Sequence, residues 1–552
     1  MSRTLVTAGL PYANGNLHVG HIAGAYLPAD IYVRYLRACG RDVAFICGSD
    51  DHGVPVLLRA RKEDVEPQIV VDRFYAQHRT DFAGLGIEFD FYGQTSSPEH
   101  HEISQEFFRK VLEAGLLVKK STEQLYDDGM EMFLPDRYVQ GTCPHSDCGQ
   151  PGALGDQCES CGRTVDPMEL ADPVSVLSGN RPVVRETSHW FFKLPELSSF
   201  LETWLEGHDE WRSAVRNFAL GLVREGLVER SMTRDLEWGV PVPIEDAGAS
   251  GKVLYVWFDA PIGYVTFTSQ WCQEQGKGGD EVGKWWKDSD TRIVHFIGED
   301  NTIFHAVIWP AMLKAEGSYC LPDQVVANSF LNIHWPGESE EQKISKSRGT
   351  AVWIKDFLSE NDPDPLRYYL TAIAPENQRT TYKPEEFISR NNDELVATLG
   401  NFVHRTMTFA HKYCGGVVPE EEISSEADLD QIASVERLPE RLSEEIEQFR
   451  FKSTLQLLMA EARRANQYFD ASAPWKTRKE DLSTCRRTIR ACLQTVSVLG
   501  MVMSPILPFA SARIARMLGR EESSWGWEYS SASLKGGEIL GEAELLFRKI
   551  DV

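Results

Sequence analysis

Apolar positions along the chain follow three successive regimes. At the start, "RTLVTAGL" is a continuous apolar run of strand length and "PYANGN" is rich in turn formers, while "HVGHIAGAYLPADIYVRYLRACG" repeats its apolar residues at helical spacing up to a stop near Gly40. "RDVAFICGSDDHG" follows as a second buried strand that ends in polar residues. Strand, helix and strand, with both strands apolar throughout, predict the parallel βαβ unit of a doubly wound sheet. Runs of the same kind return late, in "KVLYVWFDAPIGY", "RIVHFIGEDNTIFHAVIWPAML" and "QVVANSFLNI", so the sheet is expected to be split by an insertion between roughly Glu113 and Arg230. From "KPEEFISRNNDELVATLGNFVHRTMTFAHKYC" to "RRTIRACLQTVSVLGMVMSPILPFASARIARML" the period is helical, with acidic loops such as "PEEEISSEADLD", which predicts an all-α bundle of about 150 residues. The expected division is therefore 1–114 and 231–325 for the two halves of a Rossmann-like α/β sheet, 115–230 for a connective insertion, 326–382 for a polar loop region and 383–552 for the bundle.

Composition adds bounds to this pattern. A chain of 552 residues exceeds one hydrophobic core and suggests about three or four domains. With 42% hydrophobic and 25% charged residues it has ample apolar material to overcome chain entropy, so disorder of the whole chain is excluded. The net charge of -25 repels nucleic acid globally, which argues against DNA as a partner and requires any RNA contact to use a local basic face. "MSRTLVTAGLPYANG" has no signal-peptide character and no run of about 18 uncharged apolar residues occurs, so a cytoplasmic protein away from membranes is expected. The 11 cysteines of such a chain do not suggest a disulfide framework.

Three constellations carry candidate chemistry. His18 and His21 flank Gly20 where a strand hands over to a helix. As a pair they could be metal ligands, ordinary helix residues, or donors at a site where backbone N–H groups and the helix dipole hold phosphate. "EQKISKSRGT" puts Lys343, Ser345, Lys346, Ser347 and Gly349 in a polar loop after a strand, either a solvated basic loop or a second clamp on the same phosphates. "CPHSDCGQPGALGDQCESCG" places Cys143, Cys148, Cys158 and Cys161 in a C-x4-C-x9-C-x2-C arrangement, which predicts a closed tetrahedral zinc site of four thiolates, structural because no position is left for water.

Read together, His18-Val19-Gly20-His21 and Lys343-Ile344-Ser345-Lys346-Ser347 resemble the paired H-I-G-H and K-M-S-K-S signatures of the class I aminoacyl-tRNA synthetases, each departing at one apolar position. "PYANGNLHVGH", "FICGSDDHG", "YVWFDAPIGY", "HFIGEDNTIFH" and "APW" extend the likeness to the methionyl branch of that family over most of the chain. The resemblance implies a split Rossmann catalytic domain with a zinc-bearing insertion and an anticodon-binding bundle. It also implies activation of L-methionine by ATP to methionyl-adenylate and transfer to tRNA(Met). His18, His21, Lys343 and Lys346 match the catalytic positions, and Gly20, Gly298, Glu299 and Asp300 join them around ATP. Gly9, Leu10, Tyr12, Trp257, Pro261, Tyr264, Asn301, Phe304 and His305 match the methionine pocket, and Asp50 matches the carboxylate that holds the α-amino group. An aromatic box suits a polarizable thioether. Asn401, Arg405 and Trp475 match the anticodon readers, and splayed RNA bases are read by such stacking and edge-pairing groups. One structural Zn2+ per chain and Mg2+ with ATP are the implied cofactors.

Two alternatives stand beside this expectation: a class I synthetase for isoleucine, leucine or valine, and a catalytically inactive paralogue that binds tRNA or acts as a scaffold. The insertion is small for the editing domain of the first, and intact HVGH and KISKS motifs oppose the second. Nucleotidyltransferases that make coenzymes share H-x-G-H but are usually smaller chains without such an insertion and bundle. The chain stops at "LLFRKIDV", soon after the bundle, so a monomer without a further tRNA-binding and dimerising domain is expected.

Overall fold

The computed structural model describes residues 3–158, 160–161, 163–277, 279–338, 341–344 and 351–551. Strand β1 (Arg3–Ala8) is buried from Thr4 onward and leads through a turn into helix α1 over 19–38, in which Val19–His21, a π-turn at Ile22–Tyr26 and Leu27–Ala38 run on without a break. The helix stops where Gly40 takes φ +68°, a conformation open to glycine. Strand β2 (Val43–Ser49) pairs with β1 in parallel. Helices α2 (Val54–Glu63) and α3 (Pro67–Gly84) lead to β3 (Phe91–Gln94), parallel to β2, and to α4 (Pro98–Glu113).

The chain then leaves the sheet. Strands β4 (Leu117–Asp127) and β5 (Val183–Phe192) form an antiparallel ladder from Leu117 opposite Phe192 to Tyr126 opposite Val183, with a knuckle of short strands between them. Helix α5 (Ser213–Glu225) and helix α6 (Val256–Glu274) bring the chain back to β6 (Thr291–Gly298) and β7 (Gln324–Asn328). β6 pairs with the other edge of β1, Arg3 opposite Thr291 to Ala8 opposite Phe296, giving a parallel sheet in the order β7-β6-β1-β2-β3. This is the split doubly wound sheet expected from the sequence. Its connections leave β1 in opposite directions, so the crevice beyond the carboxyl ends of β1 and β6 is the natural ligand site.

One expected strand is a helix. "KVLYVWFDAPIGY" contributes only Val253–Leu254 to a short pairing with Thr233–Arg234, and α6 begins at Val256. A helix buried all round has the same unbroken apolar pattern as a buried strand. α6 is such a helix: Phe258 to Thr268 are buried without exception, against β2, β3 and α4. Glycines at 48 and 93 make that possible, because a Cβ at either position would collide with the Phe267 ring. "QVVANSFLNI" also divides. Gln324–Asn328 stays in the main sheet, while β8 (Leu331–Ile333) pairs with β9 (Gln342–Lys343) and with β10 (Thr380–Tyr382) in a second small sheet.

The bundle contains α7 (Asn401–Cys414), α8 (Phe451–Ser472), α9 (Pro474–Glu480) and α10 (Leu482–Met503), and shares one apolar core with α1 and one face of the sheet. Two arginines fasten the parts together. Arg367, fully buried, donates to Asp30 Oδ2 of α1 at 2.7 Å, to the Leu85 carbonyl at 3.1 Å, and to the Pro505 and Ile506 carbonyls of the bundle at 2.8 Å each. Arg212 donates to Asn328 Oδ1 at 2.6 Å, the Ala327 and Glu376 carbonyls at 3.0 Å and the Phe449 carbonyl at 2.7 Å, joining insertion, sheet and bundle. Among the described residues no helix is long and apolar enough to cross a membrane.

Candidate active site

A cleft of about 1360 Å³ opens at the carboxyl ends of β1 and β6. His18 caps the start of α1: its Nδ1 accepts the Gly20 backbone N–H at 3.1 Å, and His21 Nδ1 accepts the His18 backbone N–H at 3.2 Å. A backbone N–H can only donate, so both Nδ1 atoms are acceptors and each neutral ring carries its proton on Nε2. The two rings stack at 3.6 Å, and both line the cleft at a helix start. Gly20 is required for this: a Cβ there would lie 3.0 Å from the His18 ring and 3.3 Å from Ile344 Cδ1.

The second motif is thereby held against the first. Ile344 lies on Gly20, the Val19 N–H donates to the Val352 carbonyl at 3.1 Å, and the Ile354 N–H donates to the Leu17 carbonyl at 3.0 Å. Lys343 lies on β9 at the base of that motif. Ser345, Lys346, Ser347 and Gly349 lie outside the described residues.

Deeper in the cleft, Trp257 and Phe304 stack at 3.8 Å with 10° between their planes, and Tyr12 meets Trp257 edge-on at 6.3 Å. Gly9, Leu10 and Pro261 complete this apolar wall. At its end Tyr264 Oη lies 2.8 Å from His305 Nε2, while His305 Nδ1 lies 3.1 Å from the Asn301 carbonyl. The carbonyl can only accept, so His305 holds its proton on Nδ1 and the Tyr264 hydroxyl donates to Nε2. Burial pushes His305 down to about 4 and the Tyr264 phenol well up, so both stay neutral. A neutral polar pair closing an aromatic slot suits an uncharged, polarizable side chain.

Asp50 sits opposite. Its backbone is clamped by Pro11 and Ala13 at 2.9 Å each, and its Oδ1 is buried without a hydrogen-bond partner among the described residues. Burial, then Asp259 and Asp51, push its carboxyl well above the usual carboxylate range. An orphaned buried carboxylate oxygen facing a cleft is a seat for a cationic group. At the other side β6 runs out at Gly298, followed by Glu299, Asp300 and Asn301, all on the cleft wall. Glu299 pairs with Arg379 at 2.9 Å.

Two further expected sets lie away from the cleft. The Sγ atoms of Cys143, Cys148, Cys158 and Cys161 all lie within 4.8 Å of one another, with Cys143 to Cys161 and Cys148 to Cys158 at 3.9 Å. Four thiolates at about 2.3 Å from a tetrahedral Zn2+ stand about 3.8 Å apart, so this donor set fits the ion. The wide C-x4-C spacing closes because Gly149 takes φ +55° and the Cys148 and Gly149 N–H groups both return to the His145 carbonyl. The Arg163 backbone N–H and guanidinium draw the Cys161 thiol down to about 6, favouring the thiolate. The knuckle packs on Val54 and Leu57 of α2, directly after the Asp50 loop. In the bundle, Asn401 and Arg405 lie one turn apart on α7. The Arg405 guanidinium stands 5.7 Å from the centre of the Trp475 ring, pairs with Asp470 at 2.6 Å, and Asn401 is exposed beside them.

The sequence reading passed over several residues of the cleft. Tyr26 donates to the Gly9 carbonyl at 2.8 Å and fixes the chain at the switch point. Arg234, over the Tyr255 ring at 3.8 Å, and Glu376 both line the cleft. Behind Asp50, His52 Nδ1 meets Asp259 Oδ2 at 2.5 Å. None of these sits in a motif of recognisable spacing. Only the polar residues ending β2 in "GSDDHG" offered a signal.

Comparison with known proteins matches the same chain. A family model described as tRNA synthetases class I (M) matches residues 4–407, and one for the anticodon binding domain of methionyl tRNA ligase matches 418–552. A methionine–tRNA ligase of Christiangramia forsetii is 45% identical over 560 residues, covering 100% of this chain and 79% of its own. One from Thermococcus kodakarensis is 44% identical over 562 residues, covering 100% and 74%. The solved Mycobacterium tuberculosis methionyl-tRNA synthetase in complex with methionyl-adenylate superposes with a TM-score of 0.81 at 25% identity, covering 99% of this chain and 100% of that one.

Proposed function

This chain belongs to the methionyl class I tRNA synthetase family, and we propose that the cleft between β1 and β6 is where it activates methionine. It is a methionine–tRNA ligase: methionine and ATP give methionyl-adenylate and diphosphate, and the methionyl group then passes to tRNA with release of AMP. One observation supports the assignment of the cleft. An orphaned carboxylate oxygen, an aromatic slot and two stacked imidazole rings share a single cavity.

Asp50 takes the substrate ammonium. Gly9, Leu10, Tyr12, Trp257, Pro261, Asn301, Phe304 and the Tyr264–His305 pair enclose the thioether. The methionine carboxylate is thereby presented to the α-phosphate of ATP, so much of the barrier is met by orientation. As the bond to diphosphate breaks, the Nε2–H groups of His18 and His21 donate to phosphate oxygens at the Gly20 helix start, with Lys343 and Lys346 as the opposing clamp. Gly298, Glu299 and Asp300 hold the nucleoside, whose hydroxyls suit carboxylate acceptors. Mg2+ accompanies the ATP phosphates and lowers their charge.

The four cysteines hold a structural Zn2+, which supplies a cross-link and takes no part in the reaction. The bundle selects tRNA(Met), with Asn401, Arg405 and Trp475 facing the anticodon. The chain acts as a cytoplasmic monomer, divided at residues 114, 230, 325 and 382. The test is Asp50→Asn in methionine-dependent ATP–diphosphate exchange: methionine KM rises at least tenfold while ATP KM holds. An unchanged methionine KM overturns the assignment.

A further inference from the structure

Basic residues are spread unevenly over the bundle. α7 carries Arg405 and Lys412 with two histidines and not one carboxylate, and α9 carries Lys476, Arg478 and Lys479 against Glu480 alone, in a chain whose net charge is -25. Ala473, at φ +42°, turns the chain between α8 and α9 and brings α9 beside α7, where Arg478 meets Tyr413. Asn401, Arg405, Phe409 and Tyr413 recur every four residues and so form one stripe along α7.

Rings and guanidinium groups run on along that stripe. Trp475 lies 6.3 Å from Phe469, Phe469 lies 5.5 Å from Phe409, and Phe409 lies 5.2 Å from Tyr413, centre to centre. Arg405 stands 4.2 Å from the centre of the buried Phe469 ring, and Arg478 stands 4.7 Å from that of the partly exposed Tyr413. The two arginines differ in charge balance. Arg405 is paired with Asp470 at 2.6 Å, whereas Arg478 donates from Nε to the Trp475 carbonyl at 3.1 Å and has no carboxylate partner among the described residues. Its two Nη groups and its whole charge are left for a ligand. Lys412, 5.7 Å from the centre of the Tyr413 ring, Lys476 and Lys479 are exposed around it.

We propose that Tyr413 and Arg478 form a second stacking station on the bundle, which takes a nucleotide of the tRNA anticodon loop outside the anticodon itself. A guanidinium lying on an aromatic ring is a flat cationic surface, and unstacked RNA bases lie on aromatic and guanidinium planes alike. Arg405 and Tyr413 are two i,i+4 steps apart on α7, about 12 Å at a rise of about 1.5 Å per residue. At about 3.4 Å per step, a fourth base in a stack stands about 10 Å from the first. A strand whose triplet is read from Arg405 and Trp475 therefore reaches Tyr413 with a flanking base. Lys412, Lys476 and Lys479 supply charge for its phosphates, which the rest of this acidic chain repels. The inference rests on Asn401, Arg405 and Trp475 being the anticodon readers.

The test is aminoacylation of tRNA(Met) by the full chain, with each variant's kcat/KM for tRNA referred to its own ATP–diphosphate exchange. Arg478→Ala lowers this ratio about tenfold, within the cost of losing one stacked base, and does so through tRNA KM. Tyr413→Leu, which keeps an apolar contact with Phe409, does the same. Tyr413→Phe charges as wild type, because the ring and not the hydroxyl carries the stack. Transcripts of tRNA(Met) that lack the base just before or just after the anticodon separate this from a structural defect. At one of those two positions wild type loses about tenfold and Arg478→Ala loses nothing more, a coupling that two unrelated losses do not produce. Equal losses for Arg478→Ala on intact tRNA and on both base-free transcripts overturn the proposal, as does an unchanged Arg478→Ala beside an impaired Trp475→Ala. If Arg478→Ala does not fold, the Tyr413 variants decide alone, and Leu and Phe variants that behave alike overturn it. If Trp475→Ala charges as wild type, the anticodon assignment fails and this proposal with it.

Discussion

In the proposed reaction the histidines of the first motif act through the proton that each is made to carry. Backbone N–H groups occupy both Nδ1 atoms, so Nε2 is the donor on each of the two stacked rings. Residue types and spacing were legible in the sequence. The tautomer was not, because it depends on the fold of three residues around Gly20. Gly20→Ala pushes a Cβ to 3.0 Å from the His18 ring. It is expected to lower the exchange rate by about 10²–10³, the usual cost of losing one preorganised donor, with methionine KM little changed; a methionine-binding defect alone contradicts this. Asp50 carries a stability consequence as well. Its carboxyl is raised first by burial, then by Asp259 and Asp51, so the folded chain binds that proton more tightly than the unfolded chain. As pH rises from the ordinary carboxylate range through the raised value, ionised Asp50 increasingly costs stability, and the cost stands in full above it. Asp50→Asn should therefore melt higher than wild type at pH 8, and the difference should vanish toward about pH 4. A variant that melts lower at pH 8 contradicts the sign.

Among elements, those whose pattern has one reading were legible and those with two were not. β1, α1 and β2 follow from the pattern of the first 50 residues. α6 does not, since an apolar run packed on every side looks alike as strand or helix, and only the contacts of Phe267 with Gly48 and Gly93 show which it is. The cysteine cluster was legible from spacing. What spacing could not show is that its knuckle shares a core with Val54 and Leu57 of α2, the helix that follows the Asp50 loop. Metal analysis should find one zinc per chain, lost in Cys158→Ser. Because α2 loses a packing partner, methionine KM in that variant should rise several-fold. A metal-free wild type with full activity contradicts the role.

Over the whole molecule, parts distant in sequence are joined by buried cations that no periodicity reveals. Arg367 ties α1, which carries the histidine motif, to the carbonyls of Pro505 and Ile506 in the bundle. Arg367→Met leaves those carbonyls unpaired and Asp30 Oδ2 with Arg34 alone, and should cost about 3–5 kcal/mol in denaturant unfolding. It should also reduce tRNA charging more than methionine activation, because the bundle is no longer held in register with the cleft. Trp475→Ala should leave exchange intact and lower aminoacylation kcat/KM by the loss of about 1–3 kcal/mol of base stacking. The net charge of -25 fits selective rather than general RNA binding, since contacts must come from local basic groups, Arg405 among them in the proposed reading. All of these expectations depend on one reaction. The most direct test is ATP–diphosphate exchange by the full chain, supplied in turn with each standard amino acid. Methionine should support exchange far above isoleucine, leucine and valine; exchange with one of those three in its place, or with none, would contradict the account.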